Sequence, residues 1–359
     1  MPNLTMDVFN QDAFQARNLT AALDRKGYVP TLLGSVPGLF VPPPLGQPMN
    51  KYAMTEERDD NPVLIRTSPR GAPPHAERTT EGTRKVRPIT IPRIAASKRI
   101  KPDTLAGIRA FGTLTELMSL ERKVGELQGL MQRDFALTWE HMRLSCIQGV
   151  TKDSDGTTLY NWATEFEQSI PAVVDFDLTA AAPASGILRQ RCDVASRAII
   201  RALKGLGGNN VDLWAFCGDG FWDAFVSHTE VRASYLNWFA APFLREGTAF
   251  SGSPGSAYSA FPFGGINWVN YRSTDDTSTV TIPSNYAQIV PANAGIFQFY
   301  YAPADERFDF INTPGQEAYS WVVLDPQRQM FADVEMYSYP LPICMQPSAI
   351  YPIKRASGD

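Results

Sequence analysis

The chain has 359 residues, 44% of them apolar, and a formal net charge of -4, enough to bury a sizeable core and to divide into two or three domains. The charge argues against a dedicated nucleic-acid binder, which needs a basic excess to displace counterions from phosphates. Four cysteines without a CxxC pair, and three histidines outside ligand spacing, give no metal or disulfide framework. The start of the sequence lacks a secretory pattern, and no run of about 18 apolar residues offers a membrane span, so the chain is expected in a cytoplasm.

Residues 1–50 read as an arm. A short helix is expected over Leu19–Lys26, capped by Asn18 and stopped by Gly27. Beyond it Pro30, Pro37, Pro42, Pro43, Pro44 and Pro48 interleave with Leu32, Leu33, Leu39, Phe40 and Val41. Proline forbids a central strand or helix while the apolar side chains demand burial, which predicts an extended strap lying on another surface. On this reading a chain lacking residues 1–45 still folds but fails to assemble.

Residues 51–102 are basic. From Arg66 to Lys101 ten Lys or Arg face only Glu77 and Glu81, a balance of +8 in a chain whose total is -4, leaving -12 elsewhere. Val63, Ile65 and Thr67, then Val86, Ile89 and Ile91, alternate around a Pro-, Gly- and charge-rich tip at Ser68–Thr83. This predicts a long hairpin that must lie on a neighbour, since two strands alone are marginal. Arg66–Lys101 holds no aromatic residue for base stacking, so an acidic second copy of the chain is the expected neighbour. The predicted inter-subunit contacts are therefore Leu32, Leu33, Leu39 and Phe40 from the arm, and Arg66, Arg70, Arg78, Arg84, Lys85 and Arg87 from the hairpin.

From Thr113 to Gly149 runs the longest helical pattern. Leu117, Leu120, Val124, Leu127, Met131, Phe135, Trp139, Met142 and Cys146 line one face, Thr113 with Glu116 forms a capping box, and Gly149 is a natural stop. Its later spacings of four drift off a heptad, so the stripe is expected to meet a sheet built from the hairpin base and the C-terminal strands. Asp153, Ser154, Asp155 and Gly156 make a turn before a strand at Thr158–Trp162; the acidic positions of a calcium loop are incomplete. The Ala- and Pro-rich stretch Thr179–Ser185 marks a boundary.

A mixed α/β domain is expected next. It contains a helix with Leu188, Cys192, Ala195, Ile199 and Leu206 on one face, a buried strand Val211–Phe216, and a short helix capped by Asp219. More helix follows over Val231–Phe239, with strands in Phe263–Tyr271 and Gln288–Tyr301. From Met330 to Arg355 the period returns to two, with Pro340, Pro342, Pro347 and Pro352, predicting two or three strands that pack on the long helix.

Chemistry is sparse. Cys217 with His228 and Asp219 is the one arrangement from which a thiol hydrolase can be drawn, and a strand leading into a helix fits those residues equally well. Asp219, Asp223, Asp275, Asp276, Asp305 and Glu306 are scattered. Gly264 and Gly265 lack the pattern and Lys of a phosphate cradle. No catalytic, cofactor or metal residue is assigned.

Several stretches resemble the major capsid protein E family of tailed bacteriophages: DSDGTTLYNWATEF from Asp153, VDFDL from Val174, CGDGFWDAFVSHTEVRASYL from Cys217, FGGI from Phe263, YYAPA from Tyr300 and SYPLPIC from Ser338. The resemblance implies an α+β fold of the Hong Kong 97 type. Its parts would be an N-terminal arm (1–50), an E-loop hairpin (51–102), a peripheral domain (103–178) with a spine helix (113–149), an axial domain (179–325) and returning strands (326–359). It implies a non-enzymatic subunit that assembles with itself into hexamers, pentamers and an icosahedral shell around double-stranded DNA. Decoration, scaffolding and portal proteins are the further partners implied, DNA contact being non-specific. A DNA-associated internal virion protein is the alternative.

Overall fold

The computed structural model describes residues 28–58, 84–101, 120–180, 183–208, 211–240, 260–276, 278–325, 330–356 and 358. The expected helix at Leu19–Lys26, the Thr113–Glu116 capping box, the strand at Val63–Thr67 and the hairpin tip lie outside these residues.

The long helix α2 (Leu120–Cys146) is about 40 Å long at about 1.5 Å per residue. Its stripe packs as the spacing predicts: Met131, Phe135 and Trp139 meet Ile100, Val334, Met336, Phe299 and Tyr301. The first three of those partners come from a three-stranded antiparallel sheet, β13 (Tyr319–Leu324), β14 (Ala332–Ser338) and β4 (Ile94–Ile100). Along β14 buried and half-buried residues alternate strictly, so one face covers the helix. A second buried face runs through Glu140, Leu144 and Ile147, spaced 4 and 3 and therefore also on one side of the helix. The C-terminal half of α2 is thus buried on two sides. The chain leaves it at Gly149, whose φ is +86° and where any Cβ would lie 2.2 Å from Ile170 Cδ1.

A six-stranded mixed sheet forms the other half, in the order β7 (Val174–Asp175), β16 (Tyr351–Lys354), β11 (Tyr286–Ala292), β8 (Asp212–Cys217), β10 (Ile266–Asn270) and β9 (Ala260–Phe263). β8 is buried at every position after Asp212, as a strand covered on both faces must be. Pro291 sits in β11 without breaking a ladder, because β16 pairs only as far as Ile289. Helix α4 (Ile187–Ala202) buries Leu188, Cys192, Ala195 and Ile199 of the stripe read from sequence, whereas Leu206 lies past its end and is exposed. Helices α5 (Asp219–Ser227) and α6 (Thr229–Ala240) follow β8. Gly218 is the N-cap of α5 and Asp219 its first residue, so the aspartate acts on the first turn's free N–H groups by charge rather than as the cap.

Three placements differ from the sequence reading. The hairpin pairs β2 (Tyr52–Arg58) with β3 (Arg84–Thr90), a first strand earlier than Val63. β16, expected beside the long helix, joins the six-stranded sheet between β11 and β7. Conversely β12 (Phe297–Tyr301) pairs with β15 (Pro340–Cys344) and lends Phe299 and Tyr301 to the long helix, so strand pairing cuts across the expected division at residue 325.

Candidate assembly site

The described part of the arm, residues 28–50, is folded onto its own subunit. Helix α1 (Leu32–Ser35) places Leu32 and Leu33 at 0% exposure and Leu39 at 1%, in the main core. Phe40 begins β1 (Phe40–Val41), which adds in parallel to β12, and its ring lies 5.5 Å from Phe297. Of the four residues expected to contact a neighbouring subunit, Leu32, Leu33 and Leu39 are buried within this one and Phe40 is half-buried: the chain folds back within reach of α2 and β12, and intramolecular burial carries no association cost.

One buried ionisable group holds the arm. Thr31 makes no side-chain cap, and the orphan N–H of Leu33 is donated instead to Glu140 Oε1 of α2 at 2.8 Å. The Tyr271 hydroxyl donates to the same oxygen at 3.3 Å. Arg143 stands 3.7 Å from Oε2, which accepts no hydrogen bond, and its guanidinium lies over the Phe299 ring at 4.4 Å. Burial pushes the Glu140 carboxyl up to about 7 against the lowering effect of these donors and of Arg143. The sequence reading missed Glu140; the signal was its spacing of 4 and 3 to Leu144 and Ile147, an acid on an apolar face.

The basic strand is also paired at home. Lys85 Nζ is 2.8 Å and Arg87 3.4 Å from Glu167, Arg93 is 3.2 Å from Glu306 and Arg99 2.7 Å from Asp333. Lys85 and Arg87 hold the Glu167 carboxyl below the usual range, so its charge is kept as the pH falls until that lowered value is passed. These ion pairs sit in solvent and orient the hairpin more than they stabilise it. Glu167→Lys is accordingly expected to leave the melting temperature nearly unchanged while speeding amide exchange in β3; a large drop in melting temperature would contradict this. The Arg84 side chain, and Arg66, Arg70 and Arg78, lie outside the described residues.

The sheet face turned away from α2 carries a stack of four planar groups. Arg93 lies 4.8 Å over Tyr337, Tyr337 is stacked on Trp321 at 4.5 Å, and Arg307 lies 4.6 Å over Trp321. Glu335 accepts from Trp321 Nε1 at 2.9 Å and from the Tyr337 hydroxyl at 2.8 Å. Cation–π contacts of this kind fix the segment around Arg307, which displays Phe308 at 94% exposure. Nearby, Gly315 N–H donates to Pro48 O, and Leu45 is 90% exposed. A groove of about 290 Å³ is lined by Pro43, Leu45, Met49, Met54, Tyr300 and Met345.

The sequence profile described as phage major capsid protein E matches residues 15–355. The chain belongs to that capsid protein family. It is 27% identical over 290 residues to the major capsid protein of Pseudomonas phage KPP10, covering 76% of this chain and 79% of that one. It is 25% identical over 304 residues to the major capsid protein of Salmonella phage Felix O1, covering 77% and 80%. Among solved structures, the capsid asymmetric unit of cyanophage A-1(L) aligns with 15% identity, 98% and 99% coverage and a TM-score of 0.49.

For a capsid protein the thiol geometry is instructive. Cys217 ends β8 fully buried, with its pKa raised well above the ordinary thiol value by that burial, so the nucleophilic thiolate is suppressed. His228 closes α5, and its Nδ1 accepts from Glu230 N–H at 3.4 Å. The Asp153–Gly156 turn satisfies itself: Asp153 accepts from Ser154 N–H, and Asp155 from the N–H and hydroxyl of Thr157. Among the described residues no group of three or more His, Cys, Asp or Glu could hold a metal ion, and no helix is long and apolar enough to cross a membrane.

Proposed function

We propose that this major capsid protein assembles into hexamers and pentamers that close an icosahedral shell around packaged double-stranded DNA, without catalysis by the subunit. The observation that carries the reading is membership of the phage capsid family over residues 15–355. Assembly takes place in the host cytoplasm, and portal, scaffolding and decoration proteins are the partners this role brings. Contact with DNA is non-specific in this role, and the net charge of -4 keeps it weak.

With Leu32, Leu33 and Leu39 buried at home, the exposed apolar side chains Leu45, Met49, Met54 and Phe308 are the contacts this reading assigns to neighbours. Many small contacts of this sort, repeated around a closed shell, give stability without large single interfaces. Particles formed by a Cys217→Ser variant as readily as by the parent support the structural role; loss of particles with the fold intact would revive the hydrolase. Tight duplex binding at 150 mM salt would favour the internal DNA-associated protein.

A further inference from the structure

We propose that docking of the arm on the long helix is a proton-linked latch, with Glu140 as the group that reads the pH. Three parts of the chain that are remote in sequence meet at this one side chain: the arm through Leu33, the long helix that carries Glu140 and Arg143, and the end of β10 through Tyr271. A fourth is reached through Arg143, whose guanidinium covers Phe299 of β12 and interacts with the Tyr301 hydroxyl.

The carboxylate is fully buried, and one of its oxygens accepts no hydrogen bond. The Arg143 nitrogen facing that oxygen, at 3.7 Å, is too far for a hydrogen bond. An ionised carboxylate with a bare oxygen in such a place is costly, whereas the neutral acid has a proton to put on that oxygen. The charged and titratable groups facing Glu140 are few among the described residues: Arg143 from its own helix and Tyr271 from the segment after β10. Helix α1 contributes only backbone N–H groups, from Leu33 and Gly34.

The sign follows from linkage. With the arm docked, the carboxyl is raised from 4.5 to about 7; with the arm released into water it titrates near its ordinary value. Below about pH 4.5 both states are protonated and docking is insensitive to pH. Between there and about pH 7 only the docked state holds the proton, so docking weakens as pH rises, by up to about tenfold per pH unit, and levels off above. Raising the pH through this window therefore loosens the strap where it crosses the long helix, and protonation seats it.

The test is amide exchange at Leu33 and Gly34 in the full unassembled chain, corrected for the intrinsic pH dependence of exchange. It reads the lone subunit, so its outcome is independent of shell formation. Opening of these amides is expected to increase more than about tenfold between pH 5 and pH 7.5, and to lose that dependence in Glu140→Gln. A flat profile in the parent chain, or an unchanged one in Glu140→Gln, overturns the proposal. Should Glu140→Gln not fold, Tyr271→Phe removes one donor to the anion and is expected to move the midpoint upward; a midpoint that stays in place overturns it equally.

Discussion

Replacing Leu32 and Leu33 together by alanine is expected to destabilise the subunit by about 4–10 kcal/mol, as two fully buried leucines at about 2–5 kcal/mol each. The positions are adjacent, so the upper figure is a bound rather than a sum. Against a typical total of about 5–15 kcal/mol, this leaves little folded protein. Deleting residues 1–45 acts in the same direction, because it also strips β1 from β12 and uncovers Glu140. An arm that merely straps a neighbour would give the opposite result, a stable subunit that does not assemble. Urea denaturation of the unassembled variant decides between them: a loss of less than about 1 kcal/mol would return the arm to the interface role.

Trp268→Ala is expected to cost about 3–5 kcal/mol, the largest effect of a single substitution in the six-stranded sheet. The indole is 0% exposed at the centre of an aromatic cluster, stacked on Phe225 at 4.3 Å and Phe221 at 6.0 Å and edge-on to Phe176 at 6.1 Å. Its Nε1 donates to Phe263 O at 3.0 Å across the Gly264–Gly265 turn. Alanine leaves a cavity ringed by phenylalanines that cannot collapse together, and removes one hydrogen bond to that carbonyl. Trp268→Phe keeps most of the ring packing and should lose roughly half as much. Equal losses in the two variants would place the effect in the hydrogen bond rather than in the cluster.

Much of this architecture is legible in the sequence where period and burial agree. The stripe Met131, Phe135, Trp139 of α2 and the stripe Leu188, Cys192, Ala195, Ile199 of α4 repeat at helical spacing, and both faces are buried as read. The uninterrupted apolar run of β8 marks a strand covered on both sides. β2 was missed because its polarity is inverted: the inward residues are Ala53 and Thr55, while Tyr52 and Met54 point out. The small inward residues look like loop and the larger outward ones give no core face.

The arm's destination was illegible for another reason. Proline and leucine together demand an extended segment that is covered, and composition does not say whose surface covers it. The contact that decides it pairs Leu33 with Glu140, 107 positions away. Glu140 itself reads as one more polar residue on a helix until Leu144 and Ile147 are seen to share its buried face. The same separation hides the placing of β16, whose alternation fits either sheet and whose partners β11 and β7 are fixed only by the fold.

Shell building by this chain is decided by electron microscopy of the particles recovered when the chain is expressed in a bacterial host. Closed, uniform shells with hexameric and pentameric capsomers are the predicted result. A soluble, folded chain that stays a monomer at every concentration and salt, with or without the other head proteins of its phage, would contradict it.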